Sequence, residues 1–295
     1  MRRLFWGVAA AGTLAGGAIL ATVAWPVGAV PRPIALVGDP DRGAYLARAA
    51  GCIACHTDFE RGGAPLAGGV ALTTDFGTIR SPNVTPGPAG IGGWNVEDFA
   101  RAVRQGVSPE GEPYYPAFPY PFYAGFSDQD IADLWAAFQT VPASDAASAP
   151  PDMRFPFDQR WGLKLWRALY KHPPFVEPVE SRDAAWNRGR ALVEGAAHCA
   201  ACHTPRTALG GRDLSARYAG NDDLPGGEGA PAIDAASLAA GGWDTDALAY
   251  ALRSGITPEG DVFGGGMGEV VMHGTSWLSD ADLQAMAAYL TDPDP

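Results

Sequence analysis

Apolar positions recur with helical spacing at Ile131, Leu134, Trp135 and Phe138, and again at Leu283, Met286, Ala287 and Leu290. Each run follows a serine, Ser127 or Ser279, with an aspartate three residues on, which is capping-box spacing. A helix is expected to start at each serine. A second pair is expected from about Asn95 to Gln105 and from Asp244 to Ser254. Asn95 with Asp98 suits an N-terminal cap, and Gly106 and Gly255 suit C-terminal stops. An earlier helix spans Asp41 to Cys52, with a counterpart around Arg188. Little in either half alternates as a strand should, so the expected fold class is all-α.

These helices belong to a repeat. Residues 92–118 (GGWNVEDFARAVRQGVSPEGEPYYPAF) align without a gap on 241–267 (GGWDTDALAYALRSGITPEGDVFGGGM). Trp94 matches Trp243, Arg104 matches Arg253, and Arg42-Gly43-Ala44 matches Arg188-Gly189-Arg190. Two small domains are expected, at 38–146 and 183–295, joined by a linker at 147–182. The linker is basic and aromatic, with Arg154, Arg160, Lys164, Arg167 and Lys171 set among Trp161, Trp166 and Tyr170. It reads either as a helix near an anionic membrane surface or partner subunit, or as a clamp between the domains.

Ahead of the repeat, Arg2 and Arg3 precede an apolar stretch from Leu4 to about Trp25. Residues 1–30 read as a signal peptide, cleaved near Val27-Gly28-Ala29, or as a membrane anchor. Both readings put the remainder outside the cytoplasm. The net charge is −12, which argues against a nucleic-acid partner. Abundant Gly and Pro, 38 and 26 residues, imply many loops. Small loop-rich domains bury little apolar surface unaided, and a bound cofactor would supply the missing core.

The cysteines name a candidate. All four lie in Cys52-Ile53-Ala54-Cys55-His56 and Cys199-Ala200-Ala201-Cys202-His203. Each is C-x-x-C-H, the attachment pattern of c-type haem, in which two thiols form thioethers and the histidine is the proximal iron ligand. Two covalent haems are expected. One four-thiolate zinc site or a pair of redox-active disulfides are the alternatives; the latter normally accompany a βαβ pattern, which is not seen here.

An iron held by His203 has one more axial position. A methionine thioether there raises the potential and closes the site. Met267 follows the Gly264-Gly265-Gly266 turn and is the expected ligand, with Met272 as competitor. The repeat puts Phe118 opposite Met267, and phenylalanine cannot ligate iron. The iron on His56 therefore lacks an obvious sixth ligand. Met153, His172, Tyr115 or Tyr120 are the alternatives; otherwise the iron is five-coordinate or holds water. Arg104, Arg253 and Arg206 are candidate propionate partners, and Trp94 and Trp243 candidate indole donors. His198, beside Cys199, is awkward as a ligand and is expected near a propionate.

The chain resembles the multihaem cytochrome c subunits of bacterial membrane-bound alcohol, sugar and aldehyde dehydrogenases. The resemblance rests on RGAYLARAAGCIACHT (42–57), SPNVTPGPAGIGGW (81–94), EGEPYYPAFPY (110–120), FPFDQRW (155–161), WNRGRALVEGAAHCAACHTPR (186–206) and GMGEVVMHGTSWLSDADLQAMAAYL (266–290). It implies tandem class I-like cytochrome c domains in the bacterial periplasm. It also implies a non-catalytic electron-transfer subunit, taking electrons from a separate dehydrogenase and delivering them to quinone, another cytochrome or a terminal oxidase. The best-known members carry three haems, whereas this chain has two motifs. Many have methionine where Phe118 stands, so their His/Met assignment does not carry over to the first haem. It does carry over to Met267. A haem enzyme or gas sensor using an open first iron is the competing class.

Overall fold

The computed structural model describes residues 17, 21–170, 177–225, 227 and 229–292. The candidate signal or anchor lies largely outside the described residues, and His172 and Lys171 lie outside them too. Among the described residues no helix is long and apolar enough to cross a membrane.

The first helix, α1 (Pro40–Ala49), is opened by Asp39, whose carboxylate accepts the amides of Asp41 and Arg42. A short helix, α2 (Cys52–His56), follows the left-handed Gly51. After the hairpin β1 (Ala71–Thr74) and β2 (Gly77–Arg80) comes α3 (Val96–Gln105), capped by the reciprocal Asn95–Asp98 box and stopped at Gly106, with φ +59°. Next come α4 (Tyr120–Tyr123) and α5 (Asp128–Gln139), the latter with a Ser127–Asp130 box. Residues 147–182 hold β3 (Asp152–Met153) and α6 (Trp161–Leu169). The second half contains α7 (Ala184–Ala191), α8 (Ala235–Ala240), α9 (Thr245–Ser254), α10 (Gly265–His273) and α11 (Asp280–Thr291). Asp244 caps α9 and Ser279 caps α11.

The chain is largely helical, but the all-α expectation needs correcting for a small antiparallel sheet in the order β1-β2-β3. Leu72 pairs with Ile79, and Gly77 with both Thr74 and Met153. Its strands are four residues or fewer and rich in threonine, so they carry almost no apolar alternation.

In each half the first and last helices cross at a glycine. A Cβ on Gly43 would lie 1.9 Å from the Asp133 carbonyl oxygen, and one on Gly189 would lie 1.8 Å from that of Ala285. A neighbouring arginine then locks each crossing. Arg42 Nε and Nη2 donate to Asp133 at 2.8 and 3.0 Å; Arg188 Nε and Nη2 donate to Asp282, both at 2.8 Å. This is why the Arg-Gly pair recurs in the sequence.

Two apolar clusters result. One joins Ala47, Leu66, Ile91, Phe99, Ile131 and Leu134. The other joins Trp186, Leu192, Leu248, Leu283 and Met286 to Ala49, Ala50 and Tyr123 of the first half. Polar contacts cross as well. The Tyr45 hydroxyl donates to Asp282 at 2.6 Å, and the Arg48 guanidinium lies 4.0 Å from the Trp277 ring centroid. α6 bonds to both halves: Arg167 Nη2 to Gln105 O at 2.5 Å, Trp166 Nε1 to Leu209 O at 2.8 Å.

Gly43→Ala and Gly189→Ala should each destabilise the protein by about 3 kcal/mol, because the methyl meets backbone rather than a movable side chain. Gly93→Ala, where a Cβ meets nothing within 4 Å, is the control. Urea denaturation checks both. The Arg42 hydrogen bonds also hold the Asp133 carboxyl down at about 2. A depressed carboxylate stabilises the fold fully above its unfolded value, about 3.9, and loses that contribution as pH falls through about 2. Urea midpoints measured from pH 5 to pH 2 should fall, and Asp133→Asn should flatten part of that slope.

Candidate functional site

His56 ends α2, so its ring and the two thiols, three residues apart, are set by a single turn of backbone. The His56 Nδ1–H donates to Pro82 O at 2.8 Å. In the second half the His203 Nδ1–H donates to Pro231 O at 2.7 Å. Such a bond fixes the tautomer and leaves Nε2 as the coordinating nitrogen. Burial holds both imidazoles below their ordinary range, which keeps them neutral.

The loops behind these histidines are built alike. The residue after each is a buried threonine. Thr57 Oγ1 accepts the amide of Leu66 at 3.1 Å, and Thr204 Oγ1 accepts that of Tyr218 at 3.2 Å. Leu66 and Tyr218 are both left-handed, with φ +57° and +63°. Gly68 N then donates to His56 O, and Gly220 N to His203 O. Val84 N closes on Leu66 O as Ile233 N closes on Tyr218 O, both at 2.9 Å. The internal repeat thus extends through a region where the two sequences barely resemble one another.

No cysteine is in a disulfide. Burial pushes the Cys52 and Cys199 thiols up to about 12. Among the described residues no three His, Cys, Asp or Glu side chains converge as a metal cage. Thioether attachment of a c-type haem, with His Nε2 toward its iron, fits these groups in both halves.

Met267 lies in the first turn of α10, half-buried against the second core cluster. Met272 is 65% exposed. Phe118 packs among Tyr114, Tyr120 and Tyr123, with ring centroids 6.1, 6.5 and 5.9 Å away. Of the alternatives to it, Met153 is paired with Gly77 in the sheet, the Tyr115 hydroxyl donates to Phe157 O at 3.0 Å, and Tyr120 lies under Arg167.

The candidate edge arginines bond to the chain itself. Arg104 donates to Phe126 O and Asp128; Arg253 donates to Ser276 O, Leu278 O and Asp280. Each thereby pins the start of the last helix in its half. Arg206 donates to Ala201 O at 2.5 Å and Gly210 O at 3.3 Å. Trp94 and Trp243 are half-buried, and neither indole N–H meets an acceptor among the described residues. His198 lies against Tyr123 and Phe122. The carbonyls of Pro82 and Pro231 were missed by sequence reasoning.

A family profile described as cytochrome c matches residues 187–292. A dihaem cytochrome c-type protein of Cereibacter sphaeroides is 46% identical over 260 residues, covering 86% of each chain. The chain belongs to the cytochrome c family. Further relatives of this cytochrome are the cytochrome c subunit of gluconate 2-dehydrogenase from Pantoea cypripedii and that of alcohol dehydrogenase (quinone) from Gluconobacter oxydans. They are 42% and 40% identical, each over 84% of this chain. The chain spans 58% and 53% of their respective lengths.

Thr57→Val and Thr204→Val should each cost about 1–3 kcal/mol, since a buried amide loses its acceptor. Denaturation of the cytochrome reads the loss.

Proposed function

We propose that this chain is a periplasmic dihaem c-type cytochrome, built as two cytochrome c domains, 38–146 and 183–295, on either side of the 147–182 segment. It takes electrons singly from a partner dehydrogenase and passes them to a respiratory acceptor, whether quinone, another cytochrome or a terminal oxidase. The observation that carries this reading is the doubled site: the same histidine-to-carbonyl and threonine-to-amide bonds stand beside each C-x-x-C-H. The relatives named as dehydrogenase cytochrome subunits support the partner.

Haem supplies an iron that alternates between ferrous and ferric states. The chain supplies everything around it. Cys52 and Cys55, and Cys199 and Cys202, furnish the thioether sulfurs. His56 and His203 are oriented by their carbonyl partners and offer Nε2 to each iron. Met267 would supply its thioether as the second ligand of the iron on His203. Trp94 and Trp243, whose indole N–H groups meet no acceptor among the described residues, would donate to propionates, with Arg206 as a candidate cation.

Membrane association is part of the proposal. α6 exposes Leu165 and Leu169 beside Lys164, and Lys164 Nζ donates to the carbonyls of Val23 and Trp25, both at 2.7 Å. Basic charge and exposed apolar side chains on one helix suit an anionic bilayer surface.

A second reading concerns the first iron alone. Phe118 stands where the second half has Met267, so that iron would bind small exogenous ligands.

Carbon monoxide titration of the reduced protein, with haem counted as pyridine haemochrome, tests both readings. Electron transfer through two closed sites requires two haems and no carbon monoxide bound. One ligand bound per two haems, rising to two in Met267→Ala, establishes the open first site. A haem count other than two overturns the dihaem reading.

A further inference from the structure

His198 stands immediately before Cys199, as Gly51 stands immediately before Cys52. Both residues are left-handed, Gly51 at φ +67° and His198 at φ +41°. Glycine adopts this conformation freely, whereas histidine is strained in it. The second half also reaches its motif by a different path. Arg188 to Cys199 contains one residue more than Arg42 to Cys52, and a π-helical turn at Leu192–Ala196 takes up the excess. That turn is anchored: its Glu194 carboxylate accepts from Arg217 at 2.8 Å and from the Tyr289 hydroxyl.

The strained conformation holds an imidazole between the two motifs. His198 Nδ1–H donates to Ala196 O at 2.8 Å. The Tyr123 hydroxyl oxygen lies 3.5 Å from the same nitrogen and donates its proton to Ala50 O at 2.6 Å. Tyr123 meets the imidazole edge-on, with centroids 5.7 Å apart and planes at 88°. On the other side, a Cβ on Gly51 would lie 3.3 Å from His198 Cε1, closer than ordinary van der Waals contact, so the ring sits tightly against Gly51. The residue preceding each pair of attachment cysteines therefore packs directly on its counterpart.

We propose that His198 is a positioning residue, its ring fixing the separation of the two haem-bearing segments and so the gap an electron crosses between the haems. This rests on the dihaem reading above. The transfer served is one electron, lost by one iron and gained by the other, with no bond made or broken. Tyr123 is the second member of the device, tying the ring to the peptide before Gly51.

The decisive variant is His198→Gly in the full haem-loaded chain. Glycine keeps the left-handed backbone without strain and removes only the ring. If His198 merely occupies that backbone position, the variant is as good as wild type. If the ring sets the gap, electron equilibration between the haems after flash photoreduction slows about tenfold or more. The Soret circular-dichroism couplet from two neighbouring haems then weakens as well. Two haems with unchanged rate and couplet overturn the proposal. A wild-type count other than two overturns the reading beneath it and is seen before any rate is measured. Should His198→Gly fail to load both haems, Tyr123→Phe decides. It keeps the aromatic packing and removes the bond to Ala50: a slower rate supports the device, and an unchanged rate overturns it.

Discussion

At Gly43 and Gly189 two helices meet with no side chain between them. The near-contact of each glycine with a carbonyl oxygen of the partner helix fixes how α1 lies on α5 and α7 on α11. Everything about the sites follows from that crossing. The first helix of each half leads to its C-x-x-C-H, in the second half through the π-helical turn Leu192–Ala196, so the crossing decides where the thiols and the imidazole emerge. The Arg42–Asp133 and Arg188–Asp282 pairs stop rotation about the contact. Arg104 and Arg253 then pin the first residues of α5 and α11, so each last helix is held at its start as well as along its length.

The two halves repeat one scaffold, yet they are not independent beads. Ala49, Ala50 and Tyr123 belong to the second core cluster, and Tyr45 and Arg48 of α1 reach Asp282 and Trp277. An interface made of buried side chains and short polar bonds resists domain motion far better than a polar linker does. Electron transfer gains from that rigidity, since its rate depends on a distance that must be kept between turnovers.

Much of this was legible in the sequence because local chemistry agreed with the fold. Asn95, Ser127 and Ser279 cap helices as their spacing implied, and Gly106 and Gly255 end them in left-handed turns. The thiols and histidines announced themselves through spacing. What remained hidden was mostly carried by backbone. A carbonyl has no residue identity, so Pro82 and Pro231 gave no sign of receiving the imidazole protons. The sheet escaped because Thr73, Thr74 and Thr78 give strands without an apolar face. His198 was visible as a residue, but its place was not. The extra position between Arg188 and Cys199 hinted at an irregular helix without saying where the ring would go.

The asymmetry between the halves is confined to few places, which gives it physical meaning. Histidine orientation, threonine support and helix crossing are duplicated, so neither half differs in how its imidazole is held. Phe118 and Met267 differ instead, at positions equivalent in an ungapped repeat. A thioether on iron raises its potential. From this position only the second half can supply one, while the first presents an aromatic ring among three tyrosines. On the proposed dihaem reading, two irons held alike on the histidine side and unlike on the other would have unequal potentials, and an unequal pair would give an electron a direction.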